Sequence, residues 1–165
     1  MKKIIPILIG LWFFSLMGCA QHNKIPSVSF PDETAIAFPG AEGFGKYTTG
    51  GRGGKICIVT NLNDKGAGSF REAAETKVKR IIVFALSGTI HLETKLSIKG
   101  DVTIAGQSAP GDGICLADQP VTLGGDNIIV RYLRFRMGDK HQSQAGMIDG
   151  SGSDDAFGGF KRKNI

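Results

Sequence analysis

Short apolar strands recur through residues 86–130 at a nearly fixed interval. Ile90 and Leu92, on either side of His91, return as Ile114 and Leu116 around Cys115. Leu96-Ser97-Ile98 returns as Val121-Thr122-Leu123, and Val102-Thr103-Ile104 returns as Ile128-Ile129-Val130. Each return comes roughly 25 residues on, and self-similarity at a period of about 20 to 50 residues marks a solenoid whose repeats bury their apolar faces against one another. The unit is three strands with no helix, so the pattern predicts coils of an all-β, parallel β-helix, roughly two of them. Stacked about 4.8 Å apart, the coils should place Ile90 over Ile114 and Leu96 over Val121. Gly88, Gly100, Gly106, Gly111, Gly113, Gly124 and Gly125 fall between the strands and mark corners.

One helix interrupts the strands. Ser69-Phe70-Arg71-Glu72 fits a capping box, with Ser69 accepting from the backbone N–H of Glu72 while Glu72 reaches back. Phe70, Ala73 and Ala74 supply its narrow apolar stripe. Lying just before Arg80-Ile81-Ile82-Val83-Phe84, this short helix is placed to cap the first coil, which would otherwise expose apolar interior.

The composition agrees with a fold built from turns and short strands: the 165 residues include 24 glycines, about twice the usual roughly 7%. Residues 1–18 are set apart as a signal peptide, with Lys2 and Lys3 ahead of an apolar run too short for a comfortable membrane span. Leu16-Met17-Gly18-Cys19 resembles the lipobox of bacterial lipoproteins, which makes Cys19 the expected lipidation site and predicts an exported, outer-membrane lipoprotein, periplasmic or cell-surface, attached through its lipid alone. Residues 19–37, polar and containing Pro26 and Pro31, read as a tether, and residues 38–165 as the β-helix domain. Without Lys2 and Lys3 the formal net charge of +5 falls to +3, a mild excess that suits an acidic partner and solubility equally.

The glycine-rich stretch 39–54 invites comparison with a phosphate loop. Gly40 to Lys46 fits the first seven positions of GxxxxGK[ST], but Tyr47 stands where the magnesium-holding hydroxyl is required, and no strand and helix flank the loop. A nucleotide site is rejected. Cys57 and Cys115 lie in apolar strands without zinc-ligand spacing and read as buried thiols. His91 reads as an outward strand residue with no acid or nucleophile set beside it by spacing. Arg131, Arg134 and Arg136 form the densest basic patch; on a sheet face they can grip carboxylates bidentately, though solvated surface arginines are the more ordinary reading. No nucleic-acid motif surrounds them.

Residues 139–159 form a polar loop rich in glycine, serine and aspartate. Asp149, Asp154 and Asp155 carry hard oxygen ligands of the kind calcium prefers, but an EF-hand counted from Asp149 fails at Asp154, where glycine is needed, and at Phe160, where glutamate is needed. By spacing alone the loop is a solvated turn.

A run of motifs in fixed order adds to this reading. Phe38-Pro39-Gly40-Ala41-Glu42-Gly43-Phe44-Gly45, Thr48-Thr49-Gly50-Gly51-Arg52-Gly53-Gly54, Val59-Thr60-Asn61-Leu62-Asn63-Asp64, Thr103-Ile104-Ala105-Gly106-Gln107-Ser108-Ala109-Pro110-Gly111 and Ile129-Val130-Arg131-Tyr132-Leu133-Arg134-Phe135-Arg136 together resemble the N-terminal part of family 1 polysaccharide lyases, the pectate lyases, particularly those of Bacteroides-like bacteria. The resemblance implies a right-handed, pectin lyase-like parallel β-helix, expected to be monomeric, that cleaves polygalacturonate by calcium-dependent β-elimination. It makes Asp155, in Asp155-Ala156-Phe157, a calcium ligand with Asp154 beside it and Ser153 at a place often acidic in relatives. Arg134 and Arg136 become contacts for the acidic polysaccharide. In the family the remaining ligands and the catalytic arginine and lysine lie further along, so they are expected beyond Ile165. Lys163-Asn164-Ile165 repeats Asp126-Asn127-Ile128, as if another strand begins there. The expectation is a truncated lyase, inactive alone; a non-catalytic glycan-binding or structural β-helix lipoprotein is the alternative.

Overall fold

The computed structural model describes residues 35–138, 140 and 155–165. Cys19, Asp149 and Asp154 lie outside the described residues. Ten strands and one α-helix follow in order among those described: β1 (Lys55–Val59), α1 (Phe70–Glu75), β2 (Arg80–Phe84), β3 (Gly88–His91), β4 (Leu96–Ile98), β5 (Val102–Ala105), β6 (Ile114–Ala117), β7 (Val121–Leu123), β8 (Ile128–Arg131), β9 (Leu133–Arg136) and β10 (Phe157–Gly158). They pair in parallel as three sheets, β1-β2-β5-β8, β3-β6-β9 and β4-β7-β10. Consecutive strands enter different sheets from β2 onward, and each sheet collects one strand per turn of the chain. The fold is a parallel β-helix with little helix, as the recurrence predicts. No helix among the described residues is long and apolar enough to cross a membrane.

The register supports two of the three expected pairings. Leu96 pairs with Val121 and Val102 with Ile128, as the recurring triplets require. The third is corrected: Ile90 lies beside Leu116, and Ile114 pairs with Gly88. A slip of two positions leaves every side chain on the same face, so hydrophobic alternation cannot distinguish the two registers. The turn between β5 and β6 sets the difference. The stack is also taller than two coils, because β1 and β2 extend the first sheet, whereas β9 and β10 begin a third coil on the other two. The step from β6 to β9, which sets Ile114 beside Leu133, is shorter than the one from β3 to β6, and this shortening hid the third coil from the period.

Ile82, Ile90, Leu96, Ile98, Ile104, Leu116 and Val121 point inward and are essentially fully buried. Near the last coil this aliphatic column meets the stacked rings of Phe135 and Phe157, 4.2 Å apart. Helix α1 packs against β1 and β4, and Phe70 enters the core beside Phe84 at 5.7 Å. Ser69 Oγ accepts from Glu72 N at 3.3 Å as the capping box requires, but Glu72 Oε2 accepts from Gly68 N, because Ser69 N donates to Gly66 O.

Two buried arginines fasten this end. Arg80 is fully buried and donates to the carbonyls of Ala73, Ala74, Val78, Lys99 and Gly100. Its guanidinium thus closes the C-terminal carbonyls of α1, which intrahelical bonds leave open, and ties them to the β4–β5 corner. Burial lowers its pKa from the ordinary arginine value. Arg71 pairs with Asp64 and also donates to the carbonyls of Thr94 and Lys95.

The glycine-rich segment is used for close approach. Gly51 N donates to Thr103 Oγ1 at 2.9 Å, and a Cβ on Gly51 would overlap the Arg80 carbonyl. Asn127, with φ +58°, accepts from the backbone N–H groups of Thr49 and Gly50 and donates to Gly50 O and Asp101 Oδ1. Asp101, Asn127 and Asn164 share the left-handed conformation at the same corner of successive coils. The repeat of Asp126-Asn127-Ile128 in Lys163-Asn164-Ile165 is therefore structural: Asn127 N donates to Lys163 O and Ile128 N to Asn164 O.

Candidate functional site

The strand β10 is only two residues long, and it carries Asp155 to one edge of the β4-β7-β10 sheet. Phe157 pairs with Val121 and Gly158 with Thr122, while Val121 N donates to Ala156 O. This register aligns Leu96, Val121 and Phe157 on the inner face. Their neighbours Ser97, Thr122 and Gly158 align on the outer face, because strand side chains alternate. Small groups there leave an open trough of about 590 Å³ running across the coils. Lys95 and the exposed Asp155 line it from the side where the strands begin, and Phe160 and Arg162 from the side where they end.

Two features of the lining stand out chemically. Phe160 is 77% exposed, a large apolar ring left in water beside polar groups. Arg162 donates through Nε to Leu123 O at 3.0 Å, which steadies the side chain and leaves its terminal nitrogens without a partner among the described residues.

Arg134 and Arg136 stand elsewhere. They lie on β9, pair with Cys115 and Ala117, and are exposed on the outer face of the β3-β6-β9 sheet. Arg134 lines a separate shallow depression with Gly106, Gln107 and Tyr132. The described structure therefore does not place either arginine with Asp155 in the trough. Arg131, third of the sequence patch, stacks over the Phe38 ring at 4.1 Å and is engaged in packing.

His91 is outward-facing, as expected, and the fold sets beside it an acid that sequence spacing does not. Its Nδ1 lies 2.9 Å from Asp118 Oδ2, and Lys140 Nζ lies 3.2 Å from the same oxygen. Asp118 occupies the corner just after β6 with φ +75°. That corner brings it to His91 from one coil away, a relationship that spacing within a strand cannot reveal. Burial pushes the Asp118 carboxyl up, and hydrogen bonds from His91 and Lys140 outweigh it and hold the carboxyl below its usual value. Cys115 is buried and Cys57 half-buried, and both are free thiols.

Calcium takes about six to eight oxygen ligands. Among the described residues no group of three or more His, Cys, Asp or Glu side chains converges as a metal site. Asp155 has the right oxygen chemistry, but as a single carboxylate it does not complete a calcium site with described neighbours.

The chain is similar to proteins named as pectate lyases. Over 131 residues it is 47% identical to "Probable pectate lyase C" of Aspergillus terreus, a match covering 79% of this chain and 29% of that protein. The protein of the same name in Emericella nidulans is 51% identical over 104 residues, covering 62% of this chain and 24% of its own length. "Probable pectate lyase 5" of Arabidopsis thaliana is 37% identical over 98 residues, covering 54% and 23% respectively. The chain thus spans less than a third of the length of these curated relatives. No family model matches it.

Proposed function

We propose that this chain is part of a pectate lyase-like protein acting on polygalacturonate, and that its own coils contribute polysaccharide binding. The similarity to pectate lyases on a parallel β-helix supports this reading most directly. Arg134 and Arg136 are proposed contacts for the carboxylates of the acidic chain, since planar guanidinium groups match carboxylate geometry.

Calcium belongs to the proposal, with Asp155 and Asp154 as the residues that would hold it. Bound there beside a uronate, it would neutralise carboxylate charge and favour loss of the proton at C5. The chemistry also needs a general base within hydrogen-bond reach of that proton. No described residue is assigned that task. The proposal therefore gives these coils a binding role and expects no lyase turnover from the 165-residue chain alone.

Export is proposed on the lipobox-like Leu16-Met17-Gly18-Cys19, with Cys19 as the lipid-bearing residue of a bacterial outer-membrane lipoprotein. Labelling with a radioactive fatty acid in a bacterial host should mark the wild-type chain and not Cys19→Ala.

The functional test is direct. The purified 165-residue chain is expected to bind polygalacturonate and to release no ultraviolet-absorbing unsaturated uronides in calcium. Release of such products would overturn the binding-only assignment. Calorimetric titration with calcium, comparing the wild type with Asp155→Asn, tests the metal assignment: equal affinities would remove Asp155 from it.

A further inference from the structure

The geometry points to a membrane-seating face at the first-strand end of the solenoid: Ile56, Ile58 and Val78, flanked by Lys55, Lys77 and Lys79, rest on a bilayer surface that carries anionic headgroups. The inference adds a protein contact to the lipid expected on Cys19, and it rests on the proposed export only for where that membrane is met.

Strand alternation supplies the apolar part. Cys57 and Val59 turn inward and pack on the core, so Ile56 and Ile58 turn outward. They are 62% and 56% exposed on the outermost strand of their sheet. Their partners across the ladder, Ile81 and Val83, are half-buried and extend the apolar surface over two strands. Val78, 54% exposed just ahead of β2, joins Ile56 and Ile58 in lining an open depression of about 320 Å³ between β1 and α1. Single apolar side chains scattered over a surface need no explanation, whereas a contiguous group marks a contact with a protein or a membrane.

Charge chooses the membrane. Lys55 lines the depression, and Lys79 stands beside it, since Lys55 N donates to Lys79 O. Lys77 and Lys79 flank Val78, and all three lysines are exposed. None of them pairs with a carboxylate among the described residues. The one carboxylate on the lining, Glu72, accepts from Gly68 N. Aliphatic groups beside lysines match a bilayer interface, where alkyl side chains enter between headgroups and ammonium groups stay among lipid phosphates. An acidic polysaccharide would satisfy the lysines and leave the three aliphatic side chains uncovered.

The tether enters on the same side. Arg52, three residues before β1, donates to the carbonyls of Ala35 and Ile36 and holds the start of the described chain near the first strand. The segment from Cys19 to Ala35 spans at most about 55 Å, so a lipid on Cys19 keeps the domain within reach of the bilayer.

Vesicle co-sedimentation of residues 19–165 carrying Cys19→Ala tests the face without lipid or signal peptide, and the described fold lies wholly within residues 35–165. The protein should bind vesicles of equal parts phosphatidylglycerol and phosphatidylcholine and not phosphatidylcholine alone. Lys77→Gln, Lys79→Gln and Ile58→Ser should each weaken binding about fivefold, while Lys161→Gln, exposed at the last coil, leaves it unchanged. The replaced side chains are all exposed, and unchanged circular dichroism verifies that each variant is folded. Unaltered binding in the lysine variants, or in Ile58→Ser, would overturn the face, and equal binding to phosphatidylcholine alone would overturn the charge assignment. No binding to either vesicle would overturn the inference and leave lipidation of Cys19, read by fatty-acid labelling, standing.

Discussion

Arg71 Nη2 lies 2.7 Å and Nε 2.9 Å from the same Asp64 oxygen, and both side chains are almost completely buried. This pair fastens α1 to the β3–β4 corner, because Arg71 also reaches the Thr94 and Lys95 carbonyls and Asp64 Oδ2 accepts from Glu93 N. Removing one member leaves the other charge buried without its partner, which is costlier than the pair is stabilising. Asp64→Ala should lower the unfolding free energy by about 3 kcal/mol, measured by urea denaturation. A loss under about 1 kcal/mol would mean that Glu75 and the carbonyls satisfy Arg71 without Asp64.

Arg80 performs the corresponding task from inside the solenoid. Arg80→Met keeps much of the apolar stem but withdraws the donors from five carbonyls. Backbone acceptors left unpaired in the interior cost about 1–3 kcal/mol each where water cannot replace the donor. The expected result is a protein less stable by about 3 kcal/mol in which α1 exchanges its amide hydrogens well before the β-sheets. Uniform exchange across α1 and the sheets would show that the helix is not held through Arg80.

Much of this arrangement was legible in the chain. Paired triplets such as Leu96-Ser97-Ile98 and Val121-Thr122-Leu123 carry the register in their alternation, and Ser69 with Glu72 announces the helix. Ile90 over Leu116 was not legible, since a slip of two positions preserves the inward face. Nor was the third coil, where β9 follows β8 after a single residue, Tyr132, with φ +57°. Of the trough, only Asp155 was readable in the chain; Arg134 and Arg136 lie on another sheet. Lys95, Phe160 and Arg162 come together because three coils stack, and residues drawn from separate coils carry no common local pattern.

Asp118 gives the fold a dependence on acid. Burial raises its native pKa, but the contacts from His91 and Lys140 more than offset that effect and leave it below the ordinary value of about 3.9. A depressed carboxylate stabilises the fold fully above the unfolded-state pKa and loses that contribution as pH falls through the native one. Wild type should therefore exceed Asp118→Asn by up to about 1 kcal/mol at about pH 6, the difference shrinking as pH falls through the native carboxyl's depressed pKa. Stability curves for the two proteins that stay parallel across this range would contradict the assignment.

Asn127 joins the glycine-rich segment to the corner of two coils, and its backbone and side chain make separate demands. The side chain holds Thr49 and Gly50 and bonds Asp101 at 2.7 Å, while φ of +58° favours asparagine or glycine over most residues. Asn127→Ala loses both the bonds and the conformational preference; Asn127→Gly loses chiefly the bonds. Asn127→Gly should fall by about 2 kcal/mol in unfolding free energy and Asn127→Ala by about 3 kcal/mol. The segment at residues 48–51 should also become the first site of proteolysis in each. Cleavage that begins elsewhere, with stability near wild type in the glycine variant, would assign Asn127 a conformational task only.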